Sequence, residues 1–304
     1  MPQAWPFLRL GLLLLAGAPL RAQPAPTRAV DAFVVAHADD WQLFMGDVMV
    51  RARLAGAPTL VVILSAGDAG RATAFWQARE RGALASMAAA RALAGQAPEG
   101  HRCEDWRLDA EHLVRRCWTG DAATVFLRLP DGRPDGTGFP THGAQSLLKL
   151  QHATIPQLES LDGQTRYRSL EDLIRTIERI LSAAHRPGYA LRVHTHDPDP
   201  MVNPLDHTDH RVAGAAAIAA AQALHAQTLL YSGYTNVRRA DNLRAVEAAW
   251  KAFIFVQYDR ALLDVAGTWS AYAENAWAHA AYLSRTYVRS APGPTGGLLR
   301  FVIP

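Results

Sequence analysis

The amino-acid sequence predicts an α/β protein with a Rossmann-like, mostly parallel sheet and helices on both faces. Two short β-branched runs, at residues 32–36 and 59–65, are typical of buried parallel strands. Helical patterns follow each of them, at residues 44–54 and 74–94, the second rich in Ala, Arg and Leu. The order strand, helix, strand, helix is the pattern of a parallel sheet.

The rest of the chain extends this alternation. The region 101–129 contains one or two further strands, of which 124–129 is the clearest. The Gly/Pro-rich segment 131–143 is either a functional surface loop or a solvated excursion. The remaining predicted elements are a helix at 170–184, a strand at 190–195, a helix at 209–225, a strand at 228–231, and helices containing 243–255 and 270–284.

Composition indicates a globular protein. Of the 304 residues, 49% are hydrophobic and 19% are charged, which is enough apolar material for a large core. There is no internal repeat and no long Pro/Gly/Ser linker, so residues 23–304 are interpreted as one catalytic domain. The formal net charge is +3, but Lys and Arg are dispersed and form no basic stripe, which argues against nucleic acid as a partner.

Residues 1–22 have the features of a signal peptide. Arg9 precedes an apolar run at residues 10–20, and small residues lead to Ala22, so the mature chain is expected to begin at Gln23. We therefore expect a secreted or periplasmic protein. An uncleaved anchor is the alternative, although the run is short for a membrane span and none is expected in the mature chain.

The sequence contains two cysteines, Cys103 and Cys117. In an oxidising compartment two cysteines this close are expected to form a local disulfide. Two buried thiols are the alternative. Half of a metal site is disfavoured because the sequence has no CxxC pair.

Two short segments combine histidine with aspartate at the ends of predicted strands. The segment AHADD supplies His37, Asp39 and Asp40 directly after the first strand. The segment HTDH supplies His207, Asp209 and His210 after the strand at 190–195 and at the start of a helix. Open α/β sheets place their sites at the carboxyl ends of strands, so both segments are expected at one edge.

This set of side chains fits a hydrolytic metal site. Two histidines and one carboxylate that leave one position open form a known arrangement for catalytic zinc. A further carboxylate is then available to deprotonate water. The alternative is that these polar residues only cap helix N-termini, but two such clusters at two strand ends favour a site.

The motifs resemble the LmbE/PIG-L family of zinc-dependent de-N-acetylases, whose hallmarks are an HPDD-type segment and a later HxDH. The resemblance covers most of the mature chain. It rests on AHADDWQLFMGD, SAGDAG, FLRLPDG and HTDHRVAG.

The resemblance implies roles for six residues. It implies metal ligation by His37, Asp40 and His210. It also implies that Asp39 is the base that activates water, that His207 is the acid and the oxyanion-stabilising group, and that Asp209 orients the imidazoles.

The resemblance also suggests substrate contacts and shows departures. Asp68 and Arg79 fall near the sugar position of family members, but each can equally be a turn residue or a surface salt bridge. Ala38 replaces the usual proline, which softens the loop. Trp41 replaces a common glutamate and is expected to cover the site or stack on a sugar. Leu205 stands where some relatives have a tyrosine.

Four further polar residues crowd the loop before HTDH. They form a second cation site, a shell that orients the ligands of the main metal site, or a solvated turn. The second cation site is the least favoured of these three. These residues are His194, His196, Asp197 and Asp199.

The function expected from the resemblance is hydrolysis of an N-acetyl group from an N-acetylated amino sugar, small or polymeric. Zinc is the default metal, although an N/N/O site also accepts Fe²⁺ or another divalent transition metal. Two alternatives stay open. The same site can cut another amide, such as that of a thiol-sugar conjugate, or the chain can be a non-catalytic carbohydrate-binding protein. The oligomeric state is left open.

Overall fold

The computed structural model describes residues 28–266 and 270–291. The signal peptide expected at residues 1–22 lies outside them. The strands are β1 (Ala29–Val35), β2 (Thr59–Ser65), β3 (His101–Arg107), β4 (Leu113–Thr119), β5 (Ala122–Leu129), β6 (Leu158–Glu159), β7 (Arg166–Tyr167), β8 (Ala190–His196), β9 (Gln227–Tyr231) and β10 (Val288–Ser290). The α-helices are α1 (Asp40–Leu54), α2 (Thr73–Leu93), α3 (Leu147–Gln151), α4 (Leu170–Ala184), α5 (Thr208–Ala223), α6 (Ala245–Ala266), α7 (Ala271–Glu274) and α8 (Ala276–Leu283).

In the described part of the chain, eight strands form the main sheet, in the order β10-β9-β8-β1-β2-β5-β4-β3. The central strands β9, β8, β1, β2 and β5 are parallel to one another. Antiparallel strands complete both edges, β10 on one side and the β4–β3 hairpin on the other. The predicted α/β fold class with a mostly parallel sheet is therefore confirmed.

Helices cover both faces of this sheet. One core cluster joins one face of the strands to α1, α2, α6 and α8, and a second joins the other face to α3, α4 and α5. Side chains alternate between the two clusters along the central strands β1, β2 and β5, as the period of a strand requires. In β1, Phe33 and Val35 belong to the first cluster, whereas Ala32 and Val34 belong to the second.

The edges are where the structure departs from the predicted elements. The β3–β4 hairpin is rich in charged residues and β3 is mainly exposed, so the sequence predicted these strands only in part. Cys103 and Cys117 lie directly opposite each other in this hairpin and form a disulfide. The helix predicted at 270–284 is two helices, α7 and α8, because Asn275 interrupts it and its side chain caps α8.

Helix α5 lies unusually close to strand β8. A Cβ atom at Gly214 would lie 2.3 Å from the carbonyl oxygen of His196, so only glycine fits at this contact. The close contact brings the N-terminus of α5 to the end of β8.

None of the helices in the described ranges is long and apolar enough to cross a membrane.

Candidate metal centre and active site

The two histidine and aspartate segments meet at the middle of the sheet. His37, Asp39 and Asp40 follow the carboxyl end of β1, and the HTDH segment follows β8, which pairs with β1. From this pair the chain continues to β2 on one side and to β9 on the other. The site therefore lies at a topological switch point, where open α/β sheets bind ligands.

His37, Asp40 and His210 present their donor atoms to a common point. His37 Nδ1 lies 3.3 Å from His210 Nε2 and 3.6 Å from Asp40 Oδ2. His210 Nε2 lies 3.1 Å from Asp40 Oδ1. A tetrahedral zinc ion with bonds of about 2.0–2.1 Å separates its ligands by about 3.3–3.4 Å. The spacing of these three donors therefore fits such an ion.

Each of the two imidazoles has a carboxylate at its other nitrogen. Asp209 Oδ2 lies 3.3 Å from His37 Nε2, and Asp206 Oδ1 lies 3.0 Å from His210 Nδ1. Asp206 is itself held by the side-chain amide of Asn203, at 2.6 Å. Metal-binding histidines usually have such carboxylate partners, which fix the ring and its tautomer. The donor set and its supporting residues thus fit a divalent metal.

His196 supports this centre. Its Nε2 lies 3.0 Å from Asp40 Oδ2, and its ring stacks on that of His210 with centroids 4.1 Å apart. Because it contacts Asp40 and His210 themselves, it belongs to the same cluster and not to a separate cation site. His194 is outside the cluster, where it bonds to Asp31 and to the hydroxyl of Tyr231.

The carboxylates of the cluster stabilise positive charge at its centre. Burial alone would lower the pKa of His210, but Asp40 and Asp206 outweigh it and raise that pKa to about 10. Burial is likewise outweighed at His37, chiefly by Asp40, and its pKa lies well above the ordinary value of 6.5. The field that favours protonated imidazoles also favours a bound cation.

The side chain of Asp39 does not cap helix α1. It is the N-cap residue of α1, yet its side chain makes no capping hydrogen bond. It remains 14% exposed, more than Asp40, and its Oδ1 accepts a hydrogen bond of 2.7 Å from Arg79 Nη2. Burial would lower the pKa of Arg79, but Asp39 raises it above its ordinary value. Arg79 therefore stays charged and holds Asp39 in place.

His207 has a defined tautomer. The backbone N–H of Asp209 donates to its Nδ1 at 3.1 Å, so the proton of the neutral ring is on Nε2. That atom lies 3.7 Å from Asp131 Oδ1. Burial lowers the pKa of His207 to about 4, which keeps the ring neutral near pH 7. His207 therefore offers an N–H donor at Nε2.

The loop after β5 contacts the centre through a glycine. The N–H of Gly132 donates to Asp209 Oδ2 at 2.8 Å. A Cβ atom at this position would lie 2.4 Å from Asp209 Oδ1, so a larger residue would displace the carboxylate. This close approach explains why residue 132 is a glycine.

Two of the suggested substrate contacts are corrected. Trp41 has no exposed surface and packs in the core with Phe44 and Met45, so it presents no face to a sugar. Asp68 is also fully buried. It accepts hydrogen bonds from the backbone of Gly70 and Asp131 and contacts His142, which makes it a structural link between two loops.

The sequence interpretation gave no role to Asp131 or Asp206 and left that of His196 open. Asp206 stands four residues before His210, just ahead of the N-cap of α5, and this short spacing could have indicated the contact. Asp131 and His196 reach the site from separate strands and loops, so no local pattern identified their partners.

Comparisons with known proteins identify a protein family that matches this chain. A family model described as PIG-L, GlcNAc-PI de-N-acetylase, matches residues 32–221, which is more than half of the chain. A search of curated proteins found no match.

Solved structures resemble the chain at low sequence identity. A deacetylase triple mutant of the teicoplanin biosynthetic pathway is 14% identical, with a TM-score of 0.48 over 86% of this chain and 98% of that one. The N,N'-diacetylchitobiose deacetylase of Pyrococcus horikoshii is 13% identical, with a TM-score of 0.46 over 90% and 88%. The 4-carboxy-2-hydroxymuconate hydratase of Pseudomonas putida is 14% identical, with a TM-score of 0.43 over 83% and 82%.

Proposed function

Since the chain belongs to the PIG-L family of de-N-acetylases, we propose that it is a metal-dependent hydrolase that removes the acetyl group from an N-acetylated amino sugar. The observation that carries the metal dependence is the convergence of His37, Asp40 and His210, with donor atoms 3.1–3.6 Å apart. Zinc suits two imidazoles and one carboxylate, and Fe²⁺ or another divalent transition metal is compatible with the same donors.

The protein residues divide the chemistry between them. When bound, the metal supplies Lewis acidity that polarises the amide carbonyl and lowers the pKa of water. We assign Asp39 as the base that takes the proton of the attacking water, because its side chain is partly exposed and makes no capping hydrogen bond in α1. Arg79 holds Asp39 in position through a hydrogen bond of 2.7 Å from its Nη2 to Asp39 Oδ1.

His207 stabilises the developing oxyanion. Its neutral ring directs an N–H donor from Nε2, and such donors contribute most where water is excluded, as at this buried position. Of the acid and oxyanion roles implied by the resemblance, the lowered pKa of His207 favours the second. The proton that Asp39 has taken then passes to the leaving nitrogen, so that acetate and a free amine are released.

Acetate release by an Asp39→Asn variant tests this proposal. We expect a loss of about 10²- to 10⁴-fold in kcat, the usual contribution of a general base, with metal content unchanged. Asp264→Asn, an exposed aspartate of α6, is the matched control and should keep the full rate. Equal acetate release by the Asp39→Asn variant and the unmodified protein would exclude Asp39 as the base.

The alternatives predict different products. A panel of acylated amino sugars and thiol-sugar conjugates, with product identification, reports which amide is cut. A non-catalytic carbohydrate-binding protein would release no acetate even when loaded with metal. Elemental analysis of the purified protein therefore has to accompany the activity measurement.

We also propose that the enzyme acts outside the cytoplasm. The basis is the signal-like sequence at residues 1–22. N-terminal sequencing of protein recovered from the exporting cell should give a chain that begins at Gln23, and an intact Met1 on the active protein would contradict export by cleavage.

A further inference from the structure

A buried tyrosine lies beside the arginine that holds the proposed base. Tyr258 of α6 has no exposed surface, and the guanidinium carbon of Arg79 lies over its ring, 5.9 Å from the centroid. A guanidinium within about 6 Å of an aromatic ring is attracted by the negative face of that ring, and the attraction is stronger where water is excluded. The ring of Tyr258 therefore stabilises the charged side chain of Arg79 where it lies.

Helices α2 and α6 pack closely at Gly82, three residues after Arg79. A Cβ atom at Gly82 would lie 2.6 Å from Cδ2 of the Tyr258 ring and 3.0 Å from the carbonyl oxygen of Tyr258. Only glycine allows the two helices to approach this closely. Because residues 79 and 82 lie on the same face of α2, the contact brings the tyrosine ring to the guanidinium.

The backbone of Gly67 borders the same guanidinium. A Cβ atom at Gly67 would lie 2.9 Å from Cζ, Nε and Nη2 of Arg79, so the arginine packs against the glycine with no space for a side chain between them. Gly67 also has a φ of 59°, in the left-handed region that favours glycine. Arg79 is thus confined by Gly67 and Tyr258, and from this position its Nη2 donates to Asp39 Oδ1 at 2.7 Å.

The ring of Tyr258 makes this contact, and its hydroxyl has no visible task. The hydroxyl is buried and has no hydrogen-bond partner in the described part of the chain. Burial raises the pKa of Tyr258 well above its ordinary value, so the hydroxyl keeps its proton. Phe255 stacks on the ring, with centroids 5.9 Å apart, and helps to fix it. A side chain with the same ring and no hydroxyl should therefore hold Arg79 equally well.

We infer that Tyr258 is a positioning residue for the proposed deacetylation, an inference that rests on the proposed function. It acts through Arg79, which in turn holds the carboxylate of Asp39 where it takes the proton of water. Its task is positional, because a fully buried ring cannot contact a substrate. Tyr258 also lies beyond residues 32–221, the part of the chain that matches the family model, so the family motifs do not include it.

Two substitutions at position 258 test the inference. Tyr258→Leu removes the ring and should lower kcat for acetate release by about 10-fold, with a smaller change in KM and unchanged metal content, since a displaced base slows the chemical step. Tyr258→Phe keeps the ring and should retain most of the kcat. Equal kcat values for Tyr258→Leu and the unmodified protein, or equal losses in Tyr258→Leu and Tyr258→Phe, would overturn the inference.

Leu262→Ala is the control for the loss of core packing. Leu262 is also fully buried and lies one turn further along α6. Denaturant unfolding gives the stability of each variant, and kcat is measured where each is folded. Leu262→Ala should lose stability and keep its kcat, and a loss of kcat equal to that of Tyr258→Leu would show that any packing defect in α6 has this effect.

A double-mutant cycle shows whether Tyr258 acts through Arg79. Arg79→Ala should lower kcat at least as much as Tyr258→Leu does, and the double variant should be no slower than Arg79→Ala alone. A role that is independent of the arginine predicts that the two losses multiply. Multiplied losses would therefore contradict the inference.

A measurement without turnover keeps this inference separable from the proposed function. The Nε–H of Arg79 is buried and has no hydrogen-bond partner among the residues that the structure describes, so its NMR signal reports on the nearby ring. The signal, assigned by its loss in Arg79→Ala, should move in Tyr258→Leu and stay in place in Tyr258→Phe. That pattern in a protein that releases no acetate from any amino sugar would support the contact and contradict the proposed function. A signal that does not move in Tyr258→Leu, in a protein that does release acetate, would contradict the inference alone.

Discussion

At the scale of single residues, the site depends on a close contact between Gly132 and Asp209. Asp209 connects the loop after β5 to His37, because its Oδ2 accepts from Gly132 and lies 3.3 Å from His37 Nε2. The sequence predicted an orienting role for Asp209. The sequence could not show that Gly132, 77 residues earlier in the chain, leaves space for the Asp209 carboxylate.

A Gly132→Ala substitution should disturb this contact. The added Cβ would lie 2.4 Å from Asp209 Oδ1, so the carboxylate has to shift and its contact with His37 is disturbed. We expect acetate release to fall by about 10- to 100-fold, as for lost partners of metal-binding histidines. Gly100→Ala is the control, since a Cβ there meets no atom within 4 Å, and it should be silent. Unchanged activity in Gly132→Ala would contradict this account of the loop.

Asp206 gives a second test at this scale. Asp206→Asn leaves an amide at His210 Nδ1 and removes the charge that orients and polarises the ring. Metal affinity, measured by competition with a chelating dye, should fall by about 10- to 100-fold. Asp199→Asn is the control, because it makes the same chemical change in the same loop at a residue that contacts no histidine of the metal centre. The metal affinity of this variant should match that of the unmodified protein. Equal affinities for both variants would show that Asp206 does not support the metal.

The burial of Trp41 follows from the periodicity of its helix. Its position beside Asp40 in the sequence suggested the site, but residues 41, 44 and 45 share one face of α1, which packs on the sheet. Helical periodicity was therefore the better guide than adjacency to a motif.

At the scale of elements, a buried lysine of helix α6 links this helix to the end of α8 and the residues that follow it. Lys251 Nζ donates to the carbonyl oxygens of Tyr282 and Arg285 and to the hydroxyl of Thr286. Burial lowers the pKa of Lys251 to about 7, although the nearby Asp47 favours the protonated form and Arg51 opposes it.

This lysine predicts a pH dependence of stability. Between about pH 7 and 10.4 the unfolded chain binds a proton at Lys251 that the folded protein has released, so the free energy of unfolding rises with pH. From pH 7 to 9 the rise in the free energy of unfolding is about 2 kcal/mol, and below about pH 6 this group adds almost no slope. Denaturant unfolding of the Lys251→Met variant should lack this rise. Parallel curves for the two proteins would contradict the lowered pKa.

The elements that the sequence predicted well are those whose neighbours are local or apolar. Strand β2 and helix α4 have the predicted bounds because continuous burial and a single apolar stripe define them. The β3–β4 hairpin and β10 were not resolved from the sequence. Strands β3 and β10 are largely exposed, β4 is only partly buried, and the pairing of all three is set by the sheet edge that accepts them.

At the scale of the whole molecule, the site is a product of topology. The sheet order puts β1 next to β8, and the close contact of Gly214 with β8 brings His210 to His37. The two motifs and the rule that sites lie at strand ends were sufficient to predict this meeting. The contact of His196 with Asp40 could not be predicted, because strand β8 and helix α1 are brought together only by the fold.

The most direct test of the central claim is acetate release as a function of metal occupancy. Protein stripped with a chelator and verified by elemental analysis should release no acetate from an N-acetylated amino sugar. Stepwise return of Zn²⁺ should restore the activity up to one ion per chain, and His210→Ala should neither bind the ion tightly nor recover. Full activity in protein verified as metal-free would contradict the claim.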